Sequence, residues 1–245
     1  MADIHLMPNL AQDTTAPLHA INQTFLAFLT GPALHADQLI IMGDLFEAWL
    51  GDDVSMAFYS REIAALANLS RQGTQLYIGL GNRDFLIGQD LLKACQAKGV
   101  FADLIELYQN HHPAILLMHG DSLCTDDKAY QRLRFFTKQA WFKRFLRQLP
   151  LSWRLKLAHK LRAKSQAANQ YKSAAIMDVS SASLAKLWLD YPKAQHLIHG
   201  HTHKPGHHHF ESGKQRWVVG DWHEQGATYV AIEQGQPSLK QFNYP

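Results

Sequence analysis

The 245-residue chain has only two cysteines, Cys95 and Cys124, and no C-x-x-C pair. A disulfide framework and a thiolate redox or zinc motif are therefore excluded. Both thiols read as small buried hydrophobes, in keeping with a reducing cytoplasm. No stretch reaches the 18 apolar residues that a membrane-spanning helix needs. No charged segment followed by an apolar one opens the sequence, so a secretory signal is not expected. Internal repeats and low-complexity linkers are also missing. The most informative absence is of acid. From Lys128 to Met177 there are thirteen lysine or arginine residues and no Asp or Glu; the rest of the chain carries the other 11 basic residues and all 21 acidic ones. The net charge of +3 thus hides a strongly cationic segment in an otherwise anionic protein. A helix face kept only for solubility mixes signs, so this segment is expected to meet an anionic partner.

What is present suits a globular protein. The chain is 47% hydrophobic and 18% charged, enough apolar material for one large domain or a core with an insertion. Short apolar runs repeatedly end in polar, glycine-containing loops: QLIIMGD to Asp44, QLYIGLGN to Asn82, AILLMHGD to Asp121 and AQHLIHGHTH to His203, with RWVVGD and ATYVAIE after them. Runs of this length fit strands buried on both faces. Helical patterns over Leu18–Leu29, Met56–Leu69, Leu91–Lys98 and Val179–Trp188 separate them. The alternation predicts an α/β layered fold with mixed sheets. Residues 128–177 are expected to form a basic amphipathic helical insertion into a core of 1–127 and 178–245. In it Phe135, Phe142, Phe145 and Leu149 fall on one helical face, Pro150 breaks the helix, and Trp153, Leu157 and Leu161 follow at i, i+4 and i+8.

Between His196 and Phe210, seven of fifteen residues are histidine. A strand-like segment follows, so this is not an appended tag. Strand ends are where an open sheet displays its chemistry. The strand-end residues here are Asp3 and His5, Asp44, Asn82 and Arg83, His119, and His201 and His203. Hard oxygen and imidazole donors suit manganese, iron, zinc or similar ions, and the absence of thiolates argues against a purely structural zinc site. Each element alone is weak: a strand-end histidine is more often a satisfied structural group than a ligand, and GNRD is more often a turn with an aspartate cap.

Together, D-x-H, GD, GN, a single His and GH-x-H resemble the calcineurin-like metallophosphoesterases over essentially the whole length. The resemblance implies an α-β-β-α sandwich and a two-metal site. Asp44 would bridge the ions; Asp3, His5 and His203 would complete one shell, and Asn82, His119 and His201 the other. His199 and Asp121 read as structural or orienting groups, and His207, His208 and His209 as bystanders. Many relatives carry His after GN, where this chain has Arg83. A guanidinium stays protonated and cannot act as a general acid, but it can clamp a phosphate. Such a site suits a leaving group that departs unprotonated, as a phosphate monoester does from a pyrophosphate.

The longer strings GDLFEAWLGDD, GNRDFL, HGDSLCTDDKAYQ, KSAAIMDV, HGHTHKP and VVGDWHEQG resemble the UDP-2,3-diacylglucosamine hydrolase family of bacterial lipid A synthesis. That resemblance implies hydrolysis at the α-phosphorus to UMP and a diacylglucosamine 1-phosphate, with Mn²⁺ as the ion. Catalysis would fall to Asp44, Asn82, Arg83 and His119. Substrate contacts carry over to Asn82, Arg83, Asp127, Ser165, Asn169, Lys172 and His201, although Asp127 also fits a helix cap. The expected partners are the nucleotide-lipid substrate and the cytoplasmic face of the inner membrane, with peripheral attachment through the insertion, no nucleic acid, and a monomeric state. Asp52 and Asp53 read as the cap of the next helix, and Glu47 and Trp49 as loop scaffolding. The family usually has Ser where Ala2 stands, and the first strand is expected to be short and prone to fray. Two other classes compete. A phosphoesterase for another anionic diester, nucleic acid included, would want separated, exposed aromatics rather than one apolar stripe. A membrane-attached scaffold without turnover would be expected to have lost at least one ligand, and none of the seven is missing.

Overall fold

The computed structural model describes residues 1–10, 17–108, 114–158, 160 and 178–244. Three sheets carry the fold. Strands β1 (Gln38–Ile41), β2 (Gln75–Gly79) and β3 (Lys98–Val100) run parallel in the order β1-β2-β3. The second sheet is mixed, with β4 (Ile105–Leu107), β5 (Ala114–Met118), β6 (Ala194–His199), β7 (Gly206–His209) and β8 (Gln215–Val218) in the order β4-β5-β6-β8-β7. The third is an antiparallel meander of β9 (Gly220–His223), β10 (Gly226–Glu233) and β11 (Gln236–Asn243).

The period of two along each strand sorts side chains into layers. Leu39 and Ile41 of β1, with Leu76 and Ile78 of β2, face a helical layer of α1 (Ala20–Thr30), α2 (Asp52–Phe58), α3 (Ser60–Arg71) and α4 (Gln89–Cys95). Ile40 and Met42 face the other way and meet Ile115, Leu117, Ile198 and Trp217 between the sheets. Leu116, Met118 and Leu197, on the far side of the second sheet, pack against Leu184 and Leu187 of α7 (Ser181–Asp190). The order is helix, sheet, sheet, helix, as expected from the sequence.

Several local expectations are corrected. The Met56–Leu69 pattern is not one helix: the chain breaks at Tyr59 (φ −125°, ψ 27°), whose ring is fully buried against Phe46 and Trp49. The Leu91–Lys98 pattern ends at Cys95, because Gln96 turns left-handed (φ 54°) and Lys98 opens β3. The predicted first strand is short, with one bridge from Leu6 to Phe46. It is nevertheless bonded along its length: Asp3, Ile4 and Leu6 donate to Gly43, Asp44 and Leu45 at 2.9–3.2 Å, and Ala2, Ile4 and Leu6 are fully buried.

The basic segment opens with α5 (Lys128–Lys138) and α6 (Ala140–Gln148), separated by extended Gln139 (ψ 131°). The break means that Phe135 does not share a face with Phe142. Phe142, Leu146 and Leu149 pack on the core, whereas Phe135, Trp141 and Phe145 are exposed. Leu149 is extended before Pro150, as a residue preceding proline must be. Asp52 and Asp53 do not cap α2. Asp52 accepts from Trp49 Nε1 and from the backbone of Gly88, Asp90 and Leu91, so it caps α4 instead. Asp53 forms a two-pronged ion pair with Arg154, which ties the basic segment to the core.

Candidate active site

Eight of the sequence-predicted site residues converge where the strands of the first two sheets end. His5 and His203 stack with ring centroids 5.0 Å apart, their Nε2 atoms separated by 3.3 Å. His119 Nε2 and His201 Nδ1 each lie 3.1 Å from Asn82 Oδ1. Asp44 stands between these two pairs: its Oδ2 is 4.0 Å from His5 Nε2 and 3.8 Å from His119 Nε2. Donor atoms of Asp3, His5 and His203 all lie within 4.8 Å of one another, and so do those of Asp3, Asp44 and His119. Asp3 is thus within reach of both groupings.

The backbone is bent to achieve this. Seven non-glycine residues among those described have positive φ, and five of them are Asp3, His5, Asp44, His201 and His203. Left-handed backbone costs of order 1–3 kcal/mol per residue and concentrates where function demands it. The loops also approach too closely for side chains. A Cβ on Gly81 would come 2.1 Å from Asp44 Oδ1, and one on Gly200 would come 2.1 Å from Asp3 Oδ2.

Hydrogen bonds fix which carboxylate oxygen points inward. The backbone N–H of Arg83 donates to Asp44 Oδ1 at 2.8 Å, which leaves Oδ2 facing the histidines. Asp84, fully buried, accepts from Gly81 N and Leu45 N at 2.8 and 2.7 Å and so staples the GD loop to the GN loop. Its place in GNRD is the only signal sequence offered for that role. Asp121 accepts from the Tyr130 hydroxyl and Arg134 Nε, both at 2.8 Å, and the Tyr130 ring sits 5.5 Å from His201. Helix α5 thereby touches the site through Tyr130 and Arg134, two residues that the sequence motifs did not single out. The motifs left out another residue: Glu47 Oε2 pairs with the Arg83 guanidinium and lies 3.6 Å from His5 Nδ1.

Electrostatics describe charge removed from water. Burial pushes the Asp3 carboxyl up to about 7 and drives Asp44 and Asp84 upward too, with Asp44 and Asp84 near each other. Burial likewise pushes His201 down to about 3 and His199 to about 4, holding these imidazoles neutral. Asp121 goes the other way: burial alone would raise it, but His119 and Arg134 hold it below the usual carboxylate range. Asp3 Oδ1 and His119 Nδ1 are buried without a hydrogen bond among the described residues. Carboxylates crowded together and neutral imidazoles aimed at one another form a donor set that fits divalent cations.

Asp127 accepts from Tyr130 N at 3.1 Å as the cap of α5. Ser165, Asn169 and Lys172 lie outside the described residues. His207 stacks on Trp217 and bonds Gln215, while His208 and His209 are exposed.

The family model for calcineurin-like phosphoesterases matches residues 1–205. A UDP-2,3-diacylglucosamine hydrolase of Serratia proteamaculans is 41% identical over 248 residues, covering 100% of this chain and 98% of its own. Proteins of the same name from Shewanella pealeana and Pseudomonas syringae pv. tomato are 45% and 40% identical, covering 88% and 91% of this chain and 89% and 90% of theirs. The chain belongs to the calcineurin-like phosphoesterases, and within them to the family of these UDP-2,3-diacylglucosamine hydrolases.

Proposed function

We propose that the protein hydrolyses the pyrophosphate of UDP-2,3-diacylglucosamine by attack at the α-phosphorus, releasing UMP and 2,3-diacylglucosamine 1-phosphate in lipid A biosynthesis. The substrate comes from kinship with relatives of that name along nearly the full chain. The chemistry rests on one observation: Asp44 Oδ2 faces His5 on one side and His119 on the other, so a single carboxylate serves two groups of donors.

Asp3, His5, Asp44 and His203 would hold one divalent ion, and Asp44, Asn82, His119 and His201 a second, with manganese as the family's metal. Such a pair supplies hydroxide at neutral pH and offsets charge on phosphoryl oxygens. The chain's own contribution is orientation. Arg83 N–H and Asp84 hold Asp44 and the GN loop in register. The Arg83 guanidinium brings permanent positive charge beside Asn82 and cannot donate its proton to a leaving group. A sugar 1-phosphate needs no such proton, whereas an alkoxide does. Asn82, Arg83, Asp127, Ser165, Asn169, Lys172 and His201 are the proposed substrate contacts.

Residues 128–177 are proposed as the insertion that meets the lipid and the cytoplasmic face of the inner membrane. Phe135, Trp141, Phe145 and Trp153 are 52–64% exposed in a segment without acid. Large exposed aromatics among Lys and Arg suit an anionic interface. No described helix is long and apolar enough to cross a membrane. The working unit is taken to be a monomer. Lipid is preferred to nucleic acid because of the relatives' substrate, since the aromatics of the insertion do not form the single stripe expected from the sequence.

The test offers purified protein with Mn²⁺ three substrates: UDP-2,3-diacylglucosamine, bis-p-nitrophenyl phosphate and a cyclic nucleotide. Strong preference for the lipid, with UMP released, is expected. Comparable rates on all three would mean a general diesterase. Bound metal without turnover would mean a scaffold.

A further inference from the structure

Glu47 is only 8% exposed, and the groups around its carboxylate belong to the candidate site. Its backbone N–H donates to Leu6 O at 3.0 Å, which clamps the GD loop to the segment carrying His5. Its Oε2 then lies 3.6 Å from His5 Nδ1 and pairs with Arg83 Nη1. The opposite ring nitrogen of His5, Nε2, points toward His203 and Asp44. Arg83 in turn bonds Asp44 Oδ1 through its backbone. One carboxylate thus joins side chains from two strand-end loops to its own.

We propose that Glu47 is a positioning residue: it keeps the His5 proton on Nδ1, so that the Nε2 lone pair faces the ions, while it holds the Arg83 guanidinium beside them. A carboxylate on the far nitrogen of an imidazole selects the tautomer, fixes the ring and raises the basicity of the nitrogen that binds metal. The guanidinium balances a carboxylate that would otherwise be costly to bury. The role toward His5 stands on the metal-site reading but not on the identity of the substrate, so metal binding tests it apart from turnover.

Glu47→Gln keeps the size and a hydrogen-bonding oxygen but removes the charge. Metal-free protein is titrated with Mn²⁺, and the unbound ion is followed by its paramagnetic resonance. The expected loss of affinity is about tenfold, the scale seen when a partner of a metal-binding histidine is removed. Because Glu47 acts through His5, adding Glu47→Gln to His5→Ala should cost no more than about twofold beyond His5→Ala alone. Long-range ¹⁵N–¹H spectra of the metal-free parent should put the His5 proton on Nδ1, a preference that Glu47→Gln weakens. Parent-like Mn²⁺ affinity in Glu47→Gln, an undiminished loss in the His5→Ala background, or a parental proton on Nε2 would each overturn the role. The spectra of the parent decide the matter even if the variant is too unstable to titrate.

Discussion

Asp3 Oδ2 accepts the backbone N–H of His201 at 2.7 Å, a bond between residues 198 apart in the chain. It joins the first motif to the last, and its two ends are both candidate ligand residues. Asp3→Asn retains an acceptor oxygen for this N–H and is expected to fold normally. It loses the carboxylate charge, so Mn²⁺ affinity should fall at least as far as for an orienting partner, about 10–100-fold. Asp3→Ala also strands the His201 N–H, adding a stability loss of about 1–3 kcal/mol. Metal titration and thermal unfolding of the metal-free proteins would separate the two effects.

Asp44→Ala removes the carboxylate that both donor groups face and is expected to abolish turnover. His208→Ala, on an exposed edge-strand position, should leave the rate within about twofold, as most surface changes do. Steady-state rates with Mn²⁺ measure both. A severe defect in the second variant would return the triple histidine to the site.

The pair of Asp53 with Arg154 should give an acid-sensitive seam. The Arg154 guanidinium bonds the Asp53 carboxyl and holds it below its usual range. A depressed carboxyl stabilises the fold above its unfolded-state pKa and loses that contribution as pH falls through the folded value. Asp53→Asn should therefore be less stable than the parent at pH 7, by at most about 1 kcal/mol because Asp53 itself is solvent-exposed. The difference should shrink as pH falls from the ordinary carboxylate range through the depressed folded value. Denaturant unfolding at pH 7 and pH 3 reads it directly.

Trp141 and Trp153 are 61% and 64% exposed, and neither is needed for the core. The double change to Ala should preserve thermal stability while weakening binding to vesicles containing phosphatidylglycerol. Each buried aromatic is worth about 1.5–3 kcal/mol, so a loss of at least tenfold is expected. Raised salt should weaken the parent further by screening the basic residues. Unchanged vesicle partitioning would remove the insertion from the membrane surface.

Much of the fold was legible because burial on both sides leaves a plain mark. β1, β2, β5, β6, β8 and β10 were visible as mainly apolar runs, since most of their residues are buried or half-buried. Short edge strands such as β3 and β4 carry no such mark: their burial is partial and their partners supply the hydrogen bonds. The break at Gln139 was equally hidden. The apolar residues on either side fit one helical period, yet only those of α6 find a core to pack on.

The site divides along the same line. Apolar runs placed Asp44, Asn82, Arg83, His119, His201 and His203 just past strand ends, because such runs fix where strands stop; Asp3 and His5 instead precede the single bridge at Leu6. Tertiary structure decided the rest: Asp44 between two donor groups, Asp3 within reach of both, Asp84 stapling two loops, Asp52 capping a helix 37 residues away, and Glu47 joining His5 to Arg83. Those roles arise from contacts between segments distant in sequence. A carboxylate's partners are set by which loops the sheet brings together, and local pattern carries no record of them.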